Sequence, residues 1–170
     1  WCMLYNKLKT VRGTKFLAAV IVFFSVFSGV LTVAREYVSG GEYKTFSDAE
    51  IKFAEFVKRN TPKAVFLTGD EHLNPISVLA GRRVYAGAAT YVYFHGLGDE
   101  LYRRYGEVKD IYTAQSAEEM RTLAEKTGAG IEYIYLSDSE RDEFGVDDGN
   151  FEGLERIYCD DGISLYKLTD

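Results

Sequence analysis

From Phe16 to Ala34 the chain reads FLAAVIVFFSVFSGVLTVA, nineteen residues without a charge. A helix of that length rises about 28 Å, enough to cross the hydrocarbon core of a bilayer. A buried core helix is usually shorter and keeps a polar stripe, whereas Phe23, Phe24, Val26, Phe27, Val30 and Leu31 point all round the axis. A secretory signal needs a shorter apolar run and small residues at its cleavage site, and Ala34-Arg35-Glu36 is a poor one. An uncleaved transmembrane helix over 16–34 is therefore expected. Lys7, Lys9, Arg12 and Lys15 precede it, and only Arg35, beside Glu36, follows it closely. The positive-inside rule then makes residues 1–15 a cytoplasmic basic flank and puts the rest of the chain outside. Trp1-Cys2-Met3-Leu4-Tyr5 reads as the interfacial end of a preceding hydrophobic segment, which suggests the C-terminal part of a multi-pass protein; the alternative is a single-pass anchored domain.

Charge separates the two halves of this layout. Residues 36–170 carry fifteen Lys or Arg against twenty-six Asp or Glu, a net −11, which argues against a nucleic-acid surface. The two cysteines, Cys2 and Cys159, fall on opposite sides of the membrane and cannot pair; Cys159 reads as a buried apolar filler. With no Cys-x-x-Cys pair, the usual structural zinc patterns are excluded.

After a linker over 35–46 that contains Ser39-Gly40-Gly41, residues 47–170 alternate helix and strand patterns. Ser47 with Glu50 forms a capping box ahead of Ile51, Phe53, Ala54, Phe56 and Val57 at helical spacing, ending near Asn60-Thr61-Pro62. Ala64–Thr68 reads as a strand buried on both faces. Asn74 caps a short helix over 75–80 that stops at Gly81, Arg83–Ala86 is a second strand, and a helix runs over Asp99–Tyr105 before Gly106. Ser116 with Glu119 opens another helix, closed by Thr127-Gly128 and followed at once by a strand over Ile131–Leu136. That is the second half of a β-α-β unit, so part of the sheet is parallel. Ser137–Gly149 reads as a solvated acidic loop, and Leu154–Cys159 with Ile163–Leu168 as a terminal hairpin around Asp160-Asp161-Gly162. The expected fold is α/β: one N-terminal transmembrane helix, then a small Rossmann-like three-layer domain with a mostly parallel sheet and a C-terminal β-hairpin.

Thr68-Gly69-Asp70-Glu71-His72-Leu73-Asn74-Pro75 joins the end of a buried strand to a helix start, the edge at which open α/β sheets bind ligands. Asp70 and Glu71 disfavour an anion there, and no Gly-x-Gly-x-x-Gly or Walker pattern occurs. A neutral sugar or polyol hydroxyl, bonded by Asp70, His72 and Asn74, suits the charge; the competing reading is that Asp70 and Asn74 only cap the turn. His95 lies in the aromatic, glycine-bearing stretch Tyr91–Asp99, read as a loop. A metal would need His72, His95 and an Asp without any ligand spacing to bring them together, and no Gly-x-Ser-x-Gly elbow supports a serine nucleophile. Arg82 and Arg83 read by default as surface ion pairs, or as partners of lipid head groups.

The apolar span with its basic flank, Lys58-Arg59-Asn60-Thr61-Pro62, the strand Ala64–Thr68, His72-Leu73-Asn74-Pro75 and Leu79-Ala80-Gly81-Arg82 together resemble the tail of multi-pass GT-C-type glycosyltransferases related to the dolichyl-phosphate-mannose protein mannosyltransferases. The resemblance covers roughly residues 10–170. It implies a prokaryotic integral membrane protein whose catalytic acidic residue lies in an early outer loop, outside this sequence, so no catalytic residue, metal or cofactor is assigned within the chain. The implied partners are the bilayer, an upstream membrane domain of the same protein, and a polyprenyl-phosphate sugar or glycan acceptor. Residues 36–170 would then form an extracytoplasmic domain that helps position donor or acceptor, with Asp70, His72, Asn74, Arg82 and His95 as candidate substrate-binding residues. A membrane-anchored binding or assembly module without catalysis is the alternative.

Overall fold

The computed structural model describes residues 13–40 and 44–169, in two compact units that part between Lys44 and Thr45. The interfacial reading of Trp1–Tyr5, Cys2, the basic residues up to Arg12 and Gly41 of the hinge lie outside the described residues.

The first unit is one helix, α1 (Thr14–Ser39), bounded by Gly13 and Gly40 in left-handed conformation. It continues over 35–39, five positions beyond the uncharged run. Lys15–Ser39 is long and apolar enough to cross a membrane, and none of its most apolar stretch is buried within its own unit. Two of its hydroxyls are satisfied inside the helix: Ser25 Oγ donates to the Ile21 carbonyl at 2.8 Å and Thr32 Oγ1 to the Ser28 carbonyl at 3.0 Å. Neither hydroxyl needs a partner from outside the helix, as a lipid environment requires.

The second unit begins at the Ser47 capping box. Ser47 Oγ accepts from the Glu50 amide at 3.2 Å, and Glu50 Oε2 accepts from the Ser47 amide at 2.7 Å. These bonds start α2 (Asp48–Asn60), whose Phe53, Ala54 and Val57 are buried. Strand β1 (Val65–Leu67) and the short α3 (Pro75–Val78) follow, the latter capped by Asn74 and followed by Gly81 at φ +64°. Strand β2 is Arg83–Val84 alone. Three expectations change beyond it. The aromatic loop at Tyr91 contains a helix, α4 (Ala89–Phe94). The next helix, α5 (Gly98–Tyr112), passes straight through Gly106, because Val108, Ile111 and Tyr112 are fully buried and tertiary packing outweighs the weak propensity of one glycine. At α6 (Ala117–Lys126) the expected box is half formed, because Ser116 Oγ accepts from the Glu119 amide but Glu119 Oε2 takes the Gln115 amide at 2.8 Å. After β3 (Ile131–Leu136), the supposed acidic loop opens with α7 (Asp138–Phe144), started by a complete capping box, Ser137 with Glu140. Asp148–Phe151 then forms a 3-10 turn.

Strands β4 (Glu155–Asp160) and β5 (Ile163–Lys167) close the chain as the expected hairpin, with Asp161 at φ +46° and Gly162 at φ +78° as in a type I′ turn. The sheet order is β2-β1-β3-β5-β4. β1 is parallel to β2 and β3, whereas β5 is antiparallel to β3 and β4, so the sheet is mixed with a parallel centre. Alternation along the strands divides the core. Val65, Leu67, Ile134 and Leu136 pack with Val108, Ile111, Tyr112 and Met120 of α5 and α6. Phe66, Tyr133 and Tyr135 pack with Phe53, Val57 and Ile76 of α2 and α3. Helices thus cover both faces. Cys159 is not a core filler: it lies on β4, the outermost strand, and is exposed.

Candidate functional site

The chain leaves β1 toward β2 on one side while β3 lies on the other, so the loops after β1 and β3 part at their C-terminal ends. In open parallel sheets this is where a ligand crevice forms. Here the chain's own carboxylates enter it. Glu140, with no exposed surface, accepts from the Gly69 amide at 3.0 Å through one oxygen. Its other oxygen accepts from the Ser137 amide at 3.0 Å and from the Ser137 hydroxyl. Glu143 Oε2 stands 3.5 Å from the Asp70 amide. A Cβ at Gly69 would lie 2.7 Å from Glu143 Oε2 and 3.2 Å from Glu140 Oε1, so a larger residue there would push these carboxylates aside. Beneath them the Tyr112 hydroxyl donates to the Tyr135 carbonyl at 2.5 Å, tying α5 to β3.

The electrostatics follow from crowding. Burial pushes the Glu140 carboxyl above its ordinary value, opposed by the Ser137 and Gly69 hydrogen bonds. Burial also raises Glu71, against a Ser139 hydrogen bond, with the charges of Glu50 and Glu143 adding to the rise. Glu143 moves the same way, again mainly through burial, with the Asp70 amide opposing and the Asp70 charge assisting. Next to this cluster a depression of about 230 Å³ is lined by Ser47, Glu50, Glu71, Ser137, Asp138, Ser139 and Asp161, with the backbone of the hairpin turn. Its polar side chains are carboxylates and hydroxyls, with Ala49 and Ile163 as apolar lining and no Lys or Arg. A larger hollow, about 460 Å³, opens at the opposite end of β3, where the Arg121 guanidinium donates to the Leu168 and Gly153 carbonyls.

The five residues singled out from sequence are dispersed. Asp70 is exposed and its Oδ1 accepts from the Ala89 amide at 2.6 Å, which fixes the start of α4. His72 is exposed, its ring 4.7 Å from that of Tyr91. Asn74 is buried as the N-cap of α3: Oδ1 accepts from the Ile76 amide at 3.0 Å, while Nδ2 has no partner among the described residues. Arg82 precedes β2 and so lies at the other edge of the sheet. It donates to the carbonyls of Val57, Lys58 and Thr61 at 3.3, 3.1 and 3.0 Å, capping the end of α2. His95, exposed, ends α4. Asp70 and His72 therefore share the α4 border of the β1 loop, Asn74 and Arg82 hold helix ends, and Glu71, Glu140 and Glu143 at the crevice were missed. The signal for Glu140 was its Ser-x-x-Glu spacing from Ser137. Among the described residues no group of three or more His, Cys, Asp or Glu side chains is arranged to hold a metal ion.

Fold and site together describe a mixed α/β domain with an acidic, hydroxyl-bearing sheet edge, behind an apolar helix of membrane-spanning length. No protein-family model matches the chain, and no curated protein sequence matches it.

Proposed function

We propose that this chain is the C-terminal membrane span and extracytoplasmic domain of a polyprenyl-phosphate-sugar-dependent glycosyltransferase, and that its Rossmann-like three-layer domain positions the glycan acceptor and not the phosphorylated donor. In this reading α1 crosses the membrane from a cytoplasmic N-terminus and the catalytic acid is supplied from outside these residues. The acceptor side rests on one observation: the Gly69 amide, the group that would cradle an anion at the β1 end, already bonds the Glu140 carboxylate. A donor phosphate brought there would meet Asp70, Glu71, Glu140 and Glu143, and like charges in a partly desolvated crevice repel strongly. A neutral sugar hydroxyl meets acceptors to which it can donate. The second reading, a membrane-anchored assembly module, is favoured by the exposed aromatic face of α4.

The test is sugar transfer by the complete membrane protein from a polyprenyl-phosphate donor, comparing Glu71→Gln, Asp138→Asn, Ser139→Ala, Asp70→Asn and His72→Ala. A neutral hydrogen bond contributes about 0.5–1.5 kcal/mol and one to a charged acceptor about 1.5–3 kcal/mol, so acceptor KM should rise about 2- to 13-fold in Ser139→Ala and by up to about 150-fold in Glu71→Gln and Asp138→Asn, with donor KM and kcat unchanged. Asp70→Asn and His72→Ala, at the α4 border, should have smaller effects. Acceptor KM unchanged in all five leaves the assembly module. A kcat loss above about a thousandfold in any one would put the chemistry in this domain and overturn the reading.

A further inference from the structure

Val84 to Gly98 is fifteen residues without Asp, Glu, Lys or Arg, in a domain that over residues 45–170 carries a net charge of −10. Helix α4 lies within it, has no buried residue and gains no side-chain cap from its own N-cap residue, Ala88. Tyr91, Tyr93, Phe94 and Leu97 are 60%, 55%, 80% and 54% exposed, and Leu73 of the β1 loop and Tyr102 of α5 are exposed as well. A six-residue helix that buries nothing is not stable by propensity alone, so this face is built to be covered.

We infer that α4 and its flanks bed into the interfacial layer of the bilayer that α1 spans. This rests on reading α1 as a span. Three observations select lipid over a protein partner. The rings are those of interfacial belts, where Tyr and His keep a polar atom in the headgroup layer while Phe and Leu reach the acyl boundary. Over the whole fifteen-residue stretch there is no carboxylate to be repelled by an anionic leaflet and no ammonium to be desolvated, although the rest of the domain is dense in both. And the seven residues between Ser39 and Ser47 extend at most about 25 Å, so lipid is permanently within reach of the domain and a modest intrinsic affinity suffices. Docking also explains why Asp70 holds the Ala89 amide and His72 packs its ring, tilted, against Tyr91: both brace α4 against the β1 loop.

The experiment uses the full chain carrying Trp1→Phe, which removes the sole tryptophan, reconstituted in phosphatidylcholine vesicles without bromine, with bromine on the acyl carbons nearest the headgroup to report positions 94 and 126, or with bromine near the acyl termini to report position 26 at the midpoint of α1. Single tryptophans are placed by Phe94→Trp in the patch, Lys126→Trp on the exposed end of α6, and Val26→Trp in α1. An interfacial helix sinks about 5–10 Å below the surface, so Phe94→Trp should be quenched at least about twofold more than Lys126→Trp. Adding Tyr93→Asp should abolish the difference with the circular dichroism spectrum unchanged. Quenching at Val26 with equal, weak quenching at 94 and 126 overturns the docking and leaves the span intact. An unquenched Val26→Trp overturns both. A blue-shifted but unquenched Phe94→Trp means that protein, such as a second copy, covers the face, and also overturns it.

Discussion

Glu140 shows how a charge is kept inside this domain. Three donors, the Gly69 amide and the amide and hydroxyl of Ser137, converge on a carboxylate that water does not reach. Removing it leaves those donors buried and unmatched. Glu140→Ala should therefore lower unfolding free energy by about 1.5–3 kcal/mol, read as a drop in the urea midpoint at constant slope. Glu140→Gln keeps the shape but can accept at only one end, so its midpoint should lie between; an unchanged midpoint for alanine would mean that Gly69 and Ser137 find other acceptors. Asn74 as an N-cap was legible from the Asn-Pro step at the helix start, whereas Arg82 was not. Its three carbonyl partners lie 21–25 residues earlier in the chain, and only the packing of α3 against α2 brings it to them. Exposed-looking polarity hides such capping roles, because a polar side chain gives no sign in sequence of whether it faces water or a helix end.

At the scale of elements, local chemistry was read well wherever two signals agreed. Ser47 with Glu50 and Ser116 with Glu119 each preceded apolar residues at helical spacing, and both helices formed where expected. The same Ser-x-x-Glu signal at Ser137 sat in an acidic run with few apolar residues, and composition obscured it. Helix α4 escaped because its aromatic residues face outward and show no buried stripe. Gly106 reads as a stop in the sequence, yet it sits exposed within α5 at helical φ, and a Cβ there would meet nothing within 4 Å. Gly106→Ala should accordingly stabilise the domain by about 0.5–1 kcal/mol, chiefly by restricting the unfolded chain, and raise its thermal midpoint. A lower midpoint would show that α5 needs flexibility at that turn.

Across the whole molecule, the sheet was legible as two pieces, a β-α-β unit and a hairpin, but their junction was not: that β5 lies antiparallel between β3 and β4 is a long-range pairing with no local signature. The acids distributed over this frame set its response to pH. Glu71, Glu140 and Glu143 bind their protons more tightly folded than unfolded, from an ordinary value of 4.5. Their stabilising contribution is complete below that value and is lost as pH rises through the raised folded values. Asp148 is the reverse. Burial works to raise it, but hydrogen bonds from Tyr166, Arg141 and Ser164 prevail and hold it well below 3.8, so its contribution is present above that value and vanishes as pH falls through the depressed one. The domain should thus melt higher at about pH 5 than at about pH 8, and lose stability again in strong acid. A melting temperature that climbs steadily from pH 5 to pH 8 would contradict the crowding at the crevice. A tethered domain is confined to two dimensions at high local density, where any open strand edge invites polymerisation. This sheet offers little to copy: β2 is two residues long, and β4, with Glu155 and Arg156 exposed, is broken by an irregularity between Arg156 and Tyr158. With α1 as the proposed membrane anchor, such blunted rims would let many copies crowd one membrane without zippering into fibrils.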